Sequence, residues 1–333
     1  MNFPYFLMFY LLLIFSLMVQ VSMSSWMFVW IGLEMNMLCI IPLLVSGFKN
    51  MNDSAVKYFI VQVFGSVILL IGFFLSTMSL LGYYYYDVIG FVFWMSLMLK
   101  IGAAPFHFWY LSVLENLSWM NIFLMMTIQK FGLLFIMGYL LSLEVYLMFS
   151  IILSVFVGGV GGLNQVMMRS LFIYSSIGHV GWMIVAILLS DDVWIVYYSF
   201  YFVMMMMFSI LFYKKGVVYI NQMYNYFSKL EKWMILLGML SLGGFPPFSG
   251  FFPKIVILNI LMKSGEWLLV LMMLMGMLVG LYYYVRLVYI SMMVWTLSSV
   301  WVLNAKTNVV LSVWFNIIMM IMLFIIPIGM IWF

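Results

Sequence analysis

The sequence predicts an all-α, polytopic membrane protein, and three observations carry that prediction. Of 333 residues, 68% are hydrophobic and 7% charged, whereas soluble domains carry about 25% charged residues. The apolar runs are about 20 residues long, the length a helix needs to cross a bilayer; a transmembrane barrel would show alternating segments of about 10 residues. Two of the runs are interrupted. GGFPPFSGFFPK, Gly243 to Lys254, lies inside the apolar stretch Trp233 to Leu261, and LKIGAAPFHFW, Leu99 to Trp109, lies inside an earlier one. Proline lacks a backbone N–H and clashes with the preceding turn, so an α-helix is expected to break at Pro246, Pro247 and Pro253, and at Pro105. Non-helical backbone at membrane depth is tolerated only where protein or a water-filled cavity satisfies it. Both stretches therefore read as discontinuous helices facing the protein interior, and such a pair, one in each half, points to a transporter built from internal repeats.

Taken in order, the chain shows about eleven spans, near residues 3–22, 25–45, 55–76, 88–110, 119–141, 145–163, 170–190, 193–213, 233–262, 267–288 and 309–331. The fourth and ninth are the broken ones. The first carries no Lys or Arg, so it lacks the basic region of a secretory signal and reads as a retained membrane helix. No soluble domain fits between spans; the longest connections are 214–232 and 289–308. Grouping the spans predicts a single transmembrane domain: one five-helix repeat over about 1–141, a second over about 145–288, and a C-terminal helix over about 309–333. An odd number of spans per repeat makes the two repeats inverted, with a broken fourth helix in each.

Sorting the loops by side supports this count. Lys49, Lys57, Arg169, Lys214, Lys215, Lys229, Lys232, Arg286 and Lys306 fall on one face, and Lys263 alone falls on the other, with Asp87, Glu144, Asp191, Asp192 and Glu266. The positive-inside bias places the N-terminus inside and the C-terminus outside.

The single Cys39 excludes an intrachain disulfide, a Cys-ligated zinc site and an iron–sulfur cluster held by this chain alone. No HExxH, P-loop or GxGxxG pattern is present. The 37 methionines suit a mitochondrial genetic code, and runs such as Met204 to Met207 read as lipid-facing or core filler.

Glu34, Lys100, Lys130 and Lys254 lie where lipid should be. Each such charge costs about 2.5–3.5 kcal/mol on insertion scales, so these side chains are expected to face an interior polar path and pair. Desolvation disfavours a charged amine and a nearby carboxylate restores it; at about 4 Å and an effective dielectric of about 20, one contact is worth about 4 kcal/mol. Moving Glu34 relative to Lys100 would load or release a proton. The simpler readings stay open: a static Glu34–Lys100 pair that fixes packing, or a Lys254 that only caps exposed carbonyls. His107 and His179 fit a backbone-satisfied imidazole as well as a relay. The glycines Gly158 to Gly162 read as a close helix approach.

Several blocks, WIGLEMN, MLKIGAAPFHFW, TIQK, GGLNQVMMRS through YSSIGHVGW, and GGFPPFSGFFPK, are similar to the NADH dehydrogenase subunit 2 family of animal mitochondria, antiporter-like membrane subunits of respiratory complex I. The likeness runs from about Met23 to Arg286. Longer relatives have fourteen helices and animal mitochondrial members lack the first three, in line with the count above. Departures are Ile128 where a Trp is common, no proline soon after Lys130, and Ser170 where a Lys is common.

The resemblance implies a proton-transfer role for Glu34, Lys100, Lys130, Lys254 and, beside them, His179. It implies a proton-translocating subunit of NADH:ubiquinone reductase with no redox site of its own. NADH, FMN, iron–sulfur clusters and ubiquinone would belong to other subunits. Its partners would be membrane-arm subunits and the lipid bilayer, cardiolipin included, and no nucleic acid. The location would be the mitochondrial inner membrane, N-terminus in the matrix and C-terminus in the intermembrane space. The rival readings are a free-standing cation/proton antiporter component and a non-pumping scaffold subunit.

Overall fold

A computed structural model describes residues 3–22, 25–45, 50–78, 86–140, 144–223, 227 and 229–295. The predicted eleventh span, the C-terminal helix and Lys306 lie outside these residues. Among the described residues every regular element of length is a helix, and eight segments are long and apolar enough to cross a membrane. The chain is an all-α polytopic membrane protein. Its helices are α1 (Phe3–Ser22), α2 (Trp26–Val45), α3 (Asn50–Met78), α4 (Tyr86–Ile101), α5 (Phe108–Leu114), α6 (Trp119–Met126), α7 (Ile128–Gly138), α8 (Glu144–Gly162), α9 (Met168–Leu189), α10 (Asp191–Lys215), α11 (Lys229–Gly243), α12 (Phe251–Ser264) and α13 (Trp267–Trp295).

Contacts divide the chain into two units, Met1–Ser154 and Val155–Phe333, with the boundary inside α8. In the first, α2 and α3 pack side by side, α1 lies against α2, and α3 packs on both halves of the interrupted span α4–α5. In the second, α9 and α10 pair and the interrupted span α11–α12 packs against α10 and α13. α9 is the inner helix of this unit: most of its residues are buried, including Ser175, Ser176 and His179. It reaches α8 because Gly158 and Gly178 meet backbone to backbone; any Cβ on Gly158 would run into the Gly178 main chain. The Met run on α10 is divided: Met204 and Met205 are buried, whereas Met206 is exposed.

Both proline-bearing interruptions occur where the residue pattern places them. α4 ends at Ile101, and Pro105 stands in the gap before α5. α11 ends at Gly243, and Pro246 and Pro247 stand in the gap before α12. Pro253 does not: it lies in the first turn of α12. A proline is tolerated there because the first N–H groups of a helix have no intrahelical acceptor.

Two expectations need correction. The fifth span is not one continuous helix but α6 and α7, separated at Thr127, whose backbone has φ −113° and ψ −80°. No proline or glycine marks the place; the span is interrupted three residues before Lys130. The connection after α10 is also shorter than predicted, since α11 begins at Lys229. It carries a 3-10 turn, Ile220–Gln222, and an antiparallel bridge from Tyr219 to Met167.

Candidate functional site

In the first unit the site is built where α4 stops. Gly102 takes φ +72°, a left-handed conformation that suits a residue without Cβ, and its N–H and that of Ala103 both return to the Met98 carbonyl. Beyond it, the carbonyl of Lys100 accepts the Gln62 side-chain amide from α3 at 3.0 Å. With its backbone capped by another residue, Lys100 has its ammonium available for Glu34 on α2, at 3.9 Å. The aliphatic stem of Lys100 lies along Gly65 of α3, where a Cβ would come within 2.8 Å of Lys100 Cγ.

Lys130 is almost wholly buried. Its ammonium lies 4.8 Å from the centre of the Tyr110 ring on α5, a cation–π contact. The Tyr110 hydroxyl donates to the Met125 carbonyl at the end of α6, at 3.4 Å. Next to Lys130, Gln129 accepts from Tyr58 at 3.2 Å and donates to Asn36 at 2.8 Å, joining α3, α7 and α2. Lys100 and Lys130 line one small cavity of about 10 Å³, with Tyr58, Gln62, Tyr110 and Gln129 among its walls. That is room for about one water molecule among polar groups able to hold it. The structure thus brings Glu34, Lys100 and Lys130 together in one unit.

The second unit solves the same helix-end problem differently. Gly244, at φ +82°, closes α11: its N–H reaches the Ser241 carbonyl at 3.0 Å and the Phe245 N–H reaches Leu240 at 3.0 Å. This is the Schellman arrangement, and it leaves the last two carbonyls of the helix over. The Lys254 ammonium takes both, donating to Leu242 at 3.1 Å and Gly243 at 3.0 Å. The carbonyl-capping reading of Lys254 is therefore what the geometry displays. Trp182 of α9 presents its ring face 5.7 Å from the same nitrogen. A cavity of about 40 Å³ surrounds the group, lined by Ser175, His179, Trp182, Lys254, Tyr283 and Tyr284 among others. His179 stands beside Lys254 in this cavity, and its Nδ1 lies 2.8 Å from the Tyr197 hydroxyl. His107, by contrast, sits in the first gap with Nδ1 3.2 Å from the Pro105 carbonyl, a backbone-satisfied imidazole.

Residue-type reading missed Asn36, Tyr58, Gln62, Tyr110, Gln129, Trp182 and Tyr197. The signal for three of them was present: Asn36, Gln62 and Gln129 are amides inside apolar spans, where polar side chains are rare. Among the described residues, no group of three or more His, Cys, Asp or Glu side chains lies close enough to hold a metal.

Broken spans, buried lysines and a partnered intramembrane glutamate define a class of membrane subunits. The chain belongs to the NADH:quinone oxidoreductase/Mrp antiporter transmembrane family, whose profile matches residues 22–280. It is homologous to NADH-ubiquinone oxidoreductase chain 2. It is 37% identical over 308 residues to that protein of Anopheles gambiae, covering 90% of this chain and 89% of the relative. It is 34% identical over 293 residues to that of Locusta migratoria, covering 87% and 86%. Among solved structures, its fold is similar to a chain of respiratory complex I from Thermus thermophilus with bound aureothin, with TM-score 0.80, 23% identity, and 86% of this chain and 70% of the other covered. A chain of an archaeal membrane-bound sulfane sulfur reductase has TM-score 0.76 at 17% identity, covering 97% and 73%.

Proposed function

We propose that this chain is the proton-translocating core membrane subunit of respiratory complex I in the mitochondrial inner membrane. It couples NADH:ubiquinone oxidoreduction elsewhere in the complex to proton transfer along Glu34, Lys100, Lys130 and Lys254, with His179 beside the last. The observation that carries the reading is the shared cavity of Lys100 and Lys130, with Glu34 3.9 Å from the Lys100 ammonium. A purely structural lysine needs no second lysine across a water-sized space. Homology to NADH-ubiquinone oxidoreductase chain 2 along nearly the whole chain supports the assignment to complex I.

On this reading NADH, FMN, iron–sulfur clusters and ubiquinone sit in other subunits. The neighbours are membrane-arm subunits and lipid, cardiolipin included. The chain is a single transmembrane domain of two inverted repeats and a C-terminal helix, with its N-terminus in the matrix. The test is Lys130→Met in the assembled complex in sealed vesicles. Fewer protons moved per electron is the expected result; an unchanged ratio would replace this reading with a scaffold role.

A second reading, a cation/proton antiporter component, draws on the family's inclusion of Mrp antiporters. It requires cation-driven proton exchange in vesicles without NADH.

A further inference from the structure

His179 lines two cavities of the second unit. One, of about 40 Å³, holds Lys254; the other, of about 20 Å³, is walled by Tyr197, Tyr201 and Ser241 among others. The imidazole is thus a partition between the lysine's space and a second, mostly apolar-walled space, lined also by Phe200, Met204 and Leu242, with no lysine among the described residues of its wall. Its ring packs against Tyr201, 5.1 Å between centres.

The hydrogen bond to Tyr197 settles the state of that partition. Among the described residues, the Tyr197 hydroxyl has no hydrogen-bond partner but His179 Nδ1, at 2.8 Å. Tyr197 is almost wholly buried on α10, so a phenol proton pointed elsewhere would be left unsatisfied, which costs about 1–3 kcal/mol. The hydroxyl therefore donates and Nδ1 accepts. A neutral imidazole carries one proton, and with Nδ1 accepting, that proton is on Nε2. Such a ring can donate from Nε2, but it can add a proton only at Nδ1, the position Tyr197 occupies.

We propose that Tyr197 is a positioning residue that locks His179 in the Nε2-protonated tautomer, so that the partition beside Lys254 takes up a proton only when the Tyr197 hydrogen bond opens. The inference rests on the proton-transfer reading above. When the bond opens, one proton adds at Nδ1 to give the imidazolium and one leaves from Nε2, so the ring passes a single proton and returns neutral as the other tautomer.

The experiment compares four variants in the assembled complex in sealed vesicles, reading protons moved per electron: Tyr197→Phe, His179→Gln, the double variant, and Lys254→Met. Tyr197→Phe is expected to lower the ratio, and the double variant to match His179→Gln alone, because Tyr197 acts only through His179. A wild-type ratio in Tyr197→Phe, or additive losses in the double variant, would overturn the assignment while a loss in Lys254→Met leaves the proton-transfer reading standing. A wild-type ratio in Lys254→Met as well would remove both. If Tyr197→Phe does not assemble, the infrared difference between the unaltered and His179→Gln complexes decides: imidazole bands of the Nε2–H form support the lock, and those of the Nδ1–H form end it.

Discussion

The ammonium of Lys254 donates to the carbonyl of Gly243, the last residue of the other half of its own span, at 3.0 Å. Among the described residues Lys100, at the first interruption, makes no such bond; Gln62 takes the carbonyl at that helix end and the lysine faces Glu34. Two lysines that look alike in the sequence therefore hold different positions. One is a helix cap as well as a buried charge, and the other is relieved of capping by a glutamine.

That difference predicts unequal consequences of neutralising them. Lys254→Met strips the donor from two carbonyls at a buried helix end, each loss worth about 1–3 kcal/mol. Lys100→Met leaves its own capped backbone carbonyl in place. The thermal unfolding midpoint of the purified complex should drop further for Lys254→Met than for Lys100→Met, while both lower the proton-to-electron ratio. Equal midpoints would refute the capping role.

Gln62→Leu should lower the proton-to-electron ratio although residue 62 carries no charge, because the end of α4 loses the amide that holds it. Gln62→Met should do no better, since a thioether cannot donate to a carbonyl. Pumping at the unaltered level in both would show that the cap at Lys100 is dispensable.

Glu34 and Lys100 should behave as one unit. At 3.9 Å they attract each other by about 4 kcal/mol for an effective dielectric of about 20, yet they stand too far apart for a direct hydrogen bond. In a cycle of Glu34→Gln, Lys100→Met and the double variant, the double should lose little more pumping than the worse single. Additive losses would mean that the two groups work independently.

Gly102→Ala should destabilise the complex more than Gly216→Ala. Both residues have positive φ, +72° and +63°, so both substitutions bear the left-handed penalty of about 1–2 kcal/mol. Around Gly216 there is nothing within 4 Å, whereas a Cβ on Gly102 would stand 2.9 Å from Tyr110 Cβ. Tyr110 also carries the Lys130 ammonium, so Gly102→Ala should lower pumping and Gly216→Ala should not. Assembly yield and proton uptake measured together check both parts.

Much of this was legible from residue types. Proline and glycine placed both gaps beside Lys100 and Lys254, and the run of glycines before α9 announced a close approach that Gly158 and Gly178 make. The interruption at Thr127 was not legible. Nothing between Trp119 and Phe131 forbids helix, and the break is accompanied by a distant residue: Tyr110 donates to the Met125 carbonyl. Pro253 was misjudged for the opposite reason, because a proline's effect depends on whether it sits inside a helix or in its first turn.

The sequence by itself determined that the chain crosses the membrane as helices, where two of those helices must stop, and which charges would be stranded away from water. These follow from hydrophobicity and backbone sterics, which act within a turn or two of the chain. Only the tertiary structure decided that Gln62 serves the carbonyl of Lys100, that Lys254 serves Leu242 and Gly243, and that Lys100 and Lys130 share one cavity. Those are matters of which polar groups meet across helices, and a buried donor or acceptor takes whichever partner lies within about 3 Å of it, however many residues of chain intervene.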